Sequence, residues 1–117
     1  MERLADLVVK NDMFLISDDA YFDTLYDGTP KSIATLPGMF ERTLTMYTFS
    51  KKFAMTGWRL GGSIGPKYII DQINRLNVNM ESCTTHFVQY AGIAGLKAPK
   101  QETQEIIDVL RDRRDIL

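Results

Sequence analysis

Leu4, Leu7 and Val8 recur at helical spacing almost from Met1, so the chain reads as opening inside an element rather than ahead of one. Asn11-Asp12 interrupts that pattern. The next four residues, Met13-Phe14-Leu15-Ile16, form a continuous apolar run, which predicts a short strand buried on both faces of a parallel sheet with Asp18 emerging at its C-terminal end. From Asp27 to Gly38 the residues turn to Gly, Thr, Pro, Lys and Ser, including Gly28-Thr29-Pro30 and Pro37-Gly38, and this segment is expected to be a loop joining two strands. Thr43 to Phe49 alternates β-branched, aromatic and apolar side chains and predicts a second strand. Arg59 to Ile64 predicts a short third strand weakened by its glycines.

Downstream the period changes. Gly65-Pro66 is a helix-start signal, and Ile69, Ile73, Leu76 and Met80 follow at three- and four-residue spacing, the stripe of an amphipathic helix. Ser82 or Thr84 is expected to cap another helix running through Leu96, with Phe87, Ala91 and Ala94 on one side and Ala98-Pro99 as its stop. A last, polar helix is expected from about Gln101 onward. Strands interleaved with helices predict an α/β fold. Three strands are too few to complete a doubly wound layer, so the missing neighbours are expected from residues outside this chain.

Composition narrows the function classes. The 117 residues are 44% hydrophobic and 25% charged with a net charge of −1, which describes one globular domain. Lys and Arg are scattered rather than striped, which argues against a nucleic-acid partner. No apolar run approaches the roughly 18 residues of a spanning helix, and the basic-then-apolar layout of a signal peptide is missing, so no membrane partner and a cytoplasmic location are expected. Cys83 and His86 are the only residues of their kinds, which removes an internal disulfide and a metal site of Cys/His type. Cys83 is expected to be a small packed side chain, His86 a capping or surface residue, and Met55 and Trp58 structural packing near the lysine-containing segment that follows the second strand.

That segment, residues 48–61, reads Thr-Phe-Ser-Lys-Lys-Phe-Ala-Met-Thr-Gly-Trp-Arg-Leu-Gly. Lys51, Ala54, Met55, Gly57, Arg59, Leu60 and Gly61 match a pattern of hydroxyl or small residue, Lys, two variable positions, small, apolar, then Gly-x-Arg-apolar-Gly. About thirty residues upstream, after the first strand, stands Ser17-Asp18-Asp19-Ala20-Tyr21. Together these motifs resemble the pyridoxal-phosphate-dependent class I/II aminotransferases of fold type I, with Asp19 where Glu is common and Thr48 where Ser or Gly is usual. The likeness extends over almost the whole chain, including Gln89 and Arg113-Arg114-Asp115.

The resemblance implies a role for each motif residue. Lys51, not Lys52, would condense with the cofactor's aldehyde. Arg59 would clamp the cofactor's phosphate, because a planar guanidinium can give two parallel charge-assisted hydrogen bonds. Thr48 and Ser50, with backbone N–H groups of the following helical turn, would add donors to that phosphate. Asp18 would pair with the pyridine nitrogen, and Tyr21 would donate to the ring's phenolic oxygen.

By the same likeness, residues 1–100 are the central to C-terminal part of the large domain, with a mixed, mostly parallel sheet flanked by helices, and residues 101–117 lead toward a small domain. The glycine-rich phosphate loop, the ring-stacking aromatic residue, the asparagine near its oxygen and the substrate-carboxylate arginine of full-length relatives have no counterpart here. The chain is thus expected to be an inactive fragment, its parent a homodimer that transfers an amino group from an amino acid to a 2-oxo acid. A C–S lyase or synthase of the same fold, or the ligand-sensing half of a transcription regulator, is the alternative.

Overall fold

The computed structural model describes residues 1–117. Helix α1 spans Glu2–Lys10, with Glu2 in its first turn and Lys10 in its last, the arrangement that the helix dipole favours. It stops where Asp12 takes a left-handed conformation (φ 47°), which lets Met13 N–H reach Val8 O at 2.9 Å and Asp12 N–H reach Val9 O at 3.2 Å. These two bonds satisfy carbonyls that the helix end would otherwise leave open.

Strand β1, Leu15–Asp18, begins two residues later than the apolar run and pairs in parallel with β2, Thr43–Thr48. The third strand, β3 (Gly61–Ile64), pairs antiparallel with β2, giving sheet order β1-β2-β3. The expectation that the first strand is buried on both faces is not met: Ile16 is 61% exposed and burial alternates along β1. The central position falls to β2, whose Thr43, Leu44 and Thr45 are buried. Phe49, expected to end that strand, instead opens a single helical turn, α2 (Phe49–Lys52).

The remaining helices are α3 (Lys67–Met80), α4 (His86–Lys97) and α5 (Gln101–Ile116). The expected cap by Ser82 or Thr84 is replaced by Thr85, without a side-chain bond, while the Gln89 side-chain amide donates to Thr84 O at 2.8 Å. Ser82 instead takes φ 65° in the turn after α3. The apolar stripe of α3 is half-buried at Ile69 and Ile73 and exposed at Leu76 and Met80.

Two small apolar clusters hold the chain together. In one, Ala5 and Val8 of α1 pack with Ile33 and Met39 of the crossover between β1 and β2. In the other, Phe49, Met55 and Leu60 of the lysine segment pack with Val88 of α4. The inward side of α4 is thus Val88, half-buried Ala91 and Gly92, whereas Phe87 and Ala94, expected beside Ala91, face outward. Gly92 is required by proximity: a Cβ there would stand 2.6 Å from Leu60 Cδ2 and 3.3 Å from Phe49 Cε1. Helix α5 is tied back to the loop after β1, where Arg111 Nη2 donates to Tyr26 O at 2.9 Å and the Arg114 guanidinium lies 4.6 Å from the Tyr26 ring centre.

Candidate active site

Strand directions bring the motif residues to one end of the sheet. Because β1 and β2 are parallel, Asp18, in register with Met46, and Thr48 leave the sheet at the same end. Because β3 runs the other way, its first residue, Gly61, lies opposite Thr48, so Arg59 precedes the sheet at that end too. Leu60 O accepts the Phe49 N–H at 3.2 Å and the Thr48 hydroxyl at 3.4 Å, so the arginine end of the segment is fastened to its lysine end.

Between those ends the backbone is forced. Ala54 and Arg59 both adopt left-handed conformations, at φ 52° and 54°, and bracket the 3-10 turn Thr56–Trp58. Each costs a non-glycine residue on the order of 1–2 kcal/mol. Buried Met55 and Leu60 anchor the loop from beneath and offset that cost. Trp58, by contrast, is 47% exposed and lines, with Arg59, Cys83 and Phe87, an open cavity of about 650 Å³. Of the two side chains expected to pack there, only Met55 does so. Cys83 is exposed rather than packed, and His86 is a surface residue with its ring 5.2 Å from that of Tyr90, edge to face.

The two adjacent lysines have different surroundings. Lys51 Nζ stands 5.4 Å from the centre of the Tyr21 ring and has no carboxylate partner. Lys52 Nζ is engaged by Asp23 Oδ2 at 3.2 Å, and the Tyr47 hydroxyl donates to the same oxygen at 2.8 Å. Burial, followed by the hydrogen bond to Asp23 and the carboxylate's charge, pushes the Tyr47 phenol well above its ordinary value of 10.0, so it is a protonated donor. Asp23 and Tyr47 carry no motif signal. They are 24 residues apart, and only the pairing of β1 with β2 makes them neighbours.

The other predicted residues are less free. Asp18 Oδ1 accepts the Ala20 N–H at 3.2 Å, and the Ser17 hydroxyl donates to Asp19 Oδ1 at 2.6 Å, which together shape the turn that presents Tyr21. Thr48 caps α2 by accepting the Ser50 N–H at 3.2 Å while its hydroxyl faces Leu60 O. With Phe49 N–H also bound to Leu60 O, two of the backbone donors expected at this helix start are already committed. Arg59 Nη1 donates to Thr56 O at 2.9 Å, leaving its remaining N–H groups available on an exposed side chain.

The family Aminotransferase class I and II matches residues 1–117. The chain belongs to this family. It is 39% identical over 120 residues to an aromatic-amino-acid aminotransferase of Thermococcus litoralis, covering all of this chain and 31% of that protein. It is also 39% identical over 116 residues to an arginine–pyruvate transaminase of Pseudomonas aeruginosa, covering 99% of this chain and 30% of that one. The crystal structure of an aromatic aminotransferase from Pyrococcus horikoshii superposes with a TM-score of 0.86 at 41% identity, over 97% of this chain and 30% of that one. This aminotransferase chain therefore spans about a third of the length of the relatives it matches, and its mixed sheet and flanking helices are those of their fold.

Proposed function

We propose that this chain is the part of a pyridoxal-phosphate-dependent transaminase that carries the cofactor-binding lysine, and that the intact enzyme moves an amino group from an amino acid to a 2-oxo acid. The observation that carries this reading is the contrast between the lysines: Lys51 is unpaired beside Tyr21, and Lys52 is held by Asp23. A carboxylate partner favours the protonated ammonium, whereas attack on an aldehyde needs the neutral amine. The chemistry of the donor set fits the cofactor, with an amine, a carboxylate, a phenol and a guanidinium at one end of one sheet.

Pyridoxal phosphate, when bound, supplies an electron sink that stabilises negative charge on the substrate's α-carbon. The chain's residues make that sink usable. Asp18 would hold a proton on the pyridine nitrogen, and Tyr21 would donate a hydrogen bond to the ring's phenolic oxygen. Arg59, with the hydroxyls of Thr48 and Ser50, would grip the phosphate; Thr48 would have to turn its hydroxyl from Leu60 O to do so. Lys51 Nζ, as a neutral amine, would be the base that takes the proton from the substrate's α-carbon during amino-group transfer.

Residues 1–100 belong in this reading to the large domain and 101–117 to the helix that leads toward the small domain. The parent is a cytoplasmic homodimer with no nucleic-acid partner and no membrane partner, and no helix of this chain is long and apolar enough to cross a membrane. The relatives' transaminase names favour amino-group transfer over the lyase or regulator reading. The test is Lys51→Ala in the polypeptide that carries this segment: amino-group transfer and the absorbance of the lysine-bound cofactor should both vanish, and retained transfer would refute the assignment. The isolated 117 residues should bind the cofactor weakly, since they hold only part of its contacts.

A further inference from the structure

Two lysines stand side by side on one helical turn, and the chemistry needs one. Residues 21–23, just beyond β1, meet both. Tyr21 lies beside Lys51 Nζ, and two positions later Asp23 takes Lys52 Nζ.

We propose that Asp23, fixed by Tyr47, is a positioning residue that holds Lys52 out of the site and leaves Lys51 as the reactive amine. This rests on the reading of Lys51 as the lysine that receives the cofactor. Three features make the hold effective. The pair is mostly shielded, with 28% of the Lys52 side chain and 24% of the Asp23 side chain exposed, so salt and water screen it less than a surface pair. The carboxylate oxygen is itself anchored, because Tyr47 donates to it from the central strand. The Lys52 ammonium also lies 5.3 Å from the Phe53 ring centre, a second contact. For Lys52 to reach an aldehyde at the sheet end it must leave both Asp23 and Phe53. Lys51 leaves only a ring face.

The experiment measures amine reactivity residue by residue in the 117-residue chain, first without the cofactor. With formaldehyde and cyanoborohydride, each amine condenses with loss of water, the carbon–nitrogen double bond accepts hydride, and mass spectrometry of peptides gives a methylation rate for every lysine. In the unaltered chain Lys51 should react about threefold to fivefold faster than Lys52. Asp23→Asn should remove most of that ratio by raising the Lys52 rate alone, and Tyr47→Phe should remove part of it. Circular dichroism and denaturant melts report on folding: if Asp23→Asn has lost the fold, Tyr47→Phe decides. Equal rates in the unaltered chain, or an unchanged ratio in the deciding variant, would overturn the proposal.

The same three proteins are then treated with pyridoxal phosphate and borohydride. More label on Lys51 than on Lys52 in the unaltered chain, and a clearly smaller difference in Asp23→Asn, supports the proposal. The same Lys51-to-Lys52 ratio in both counts against Asp23. Label that misses Lys51 everywhere, with the formaldehyde ratio behaving as expected, leaves the hold on Lys52 intact and sinks the assignment of Lys51 instead.

Discussion

Lys51 Nζ lies 5.4 Å from the centre of the Tyr21 ring, although 29 residues separate them along the chain. The contact exists because β1 and β2 are parallel, so the residues that leave both strands at their C-terminal ends meet. It joins the two motifs on which the site depends.

Arg59 differs from a lysine at the same place by geometry rather than charge. An Arg59→Lys change keeps one positive charge but loses the parallel pair of bonds to a phosphate, about 1.5–3 kcal/mol for the bond lost. Binding of pyridoxal phosphate should weaken by about tenfold or more. Binding of pyridoxal, which lacks the phosphate, should change little. Equilibrium titration of both ligands checks this, and equal losses for the two would place Arg59 elsewhere in the site.

Gly92 is predicted to be intolerant. Alanine there gains about 1 kcal/mol of helix propensity but drives a methyl group against Leu60 and Phe49, an overpacking cost of about 1–3 kcal/mol. Net destabilisation of up to about 2 kcal/mol is expected in denaturant melts. In a Leu60→Ala background the 2.6 Å clash is removed and only the 3.3 Å approach to Phe49 remains, so Gly92→Ala should cost clearly less than in the unaltered chain. Additive effects in the double variant would show that the close approach is not the cause.

Ala54 offers the opposite case. Its left-handed backbone is strained for any residue with a Cβ, and glycine relieves that strain. Ala54→Gly should stabilise the chain by about 1 kcal/mol, less the entropy that glycine brings to the unfolded state. A fall in stability would mean that the loop holds another conformation in solution.

The Tyr47 phenol gives a pH signature. Its folded pKa is raised above the unfolded value of 10.0, first by burial and then by Asp23. The sign follows from linkage: the protonated phenol favours folding, that stability is fully present below about pH 10, and it is lost as pH climbs toward the folded pKa. Stability should therefore drop between about pH 10 and higher pH in the unaltered chain, and less steeply in Tyr47→Phe. Absorbance near the tyrosinate band should show one of the five tyrosines ionising late, and its absence from Tyr47→Phe assigns it.

Much of this architecture was legible in side-chain spacing. The apolar run before Asp18, the alternation from Thr43 and the glycine-weakened segment before Ile64 mark three strands, because period-2 and continuous apolar patterns are local. Which strand would be central was not legible: Met13–Ile16 looks the more buried, yet Ile16 is open and Thr43 is buried, a matter of which strand has neighbours on both edges. The inward side of α4 was misread for a related reason. Phe87 is the larger apolar group, but contact with Leu60 and Phe49 requires the absent side chain of Gly92, and hydrophobicity gives no signal for a residue used for its lack of bulk. The Lys51–Arg59 motif can be read from one stretch of chain because its interval is local. Asp23 and Tyr47 cannot, since their meeting depends on sheet pairing.

The most direct measurement is the identity of the lysine that pyridoxal phosphate reaches. The chain is incubated with the cofactor, reduced with borohydride, digested and mapped by mass spectrometry. The account predicts more label on Lys51 than on Lys52 or any other lysine. Label on Lys52, or spread evenly over the lysines, would contradict it.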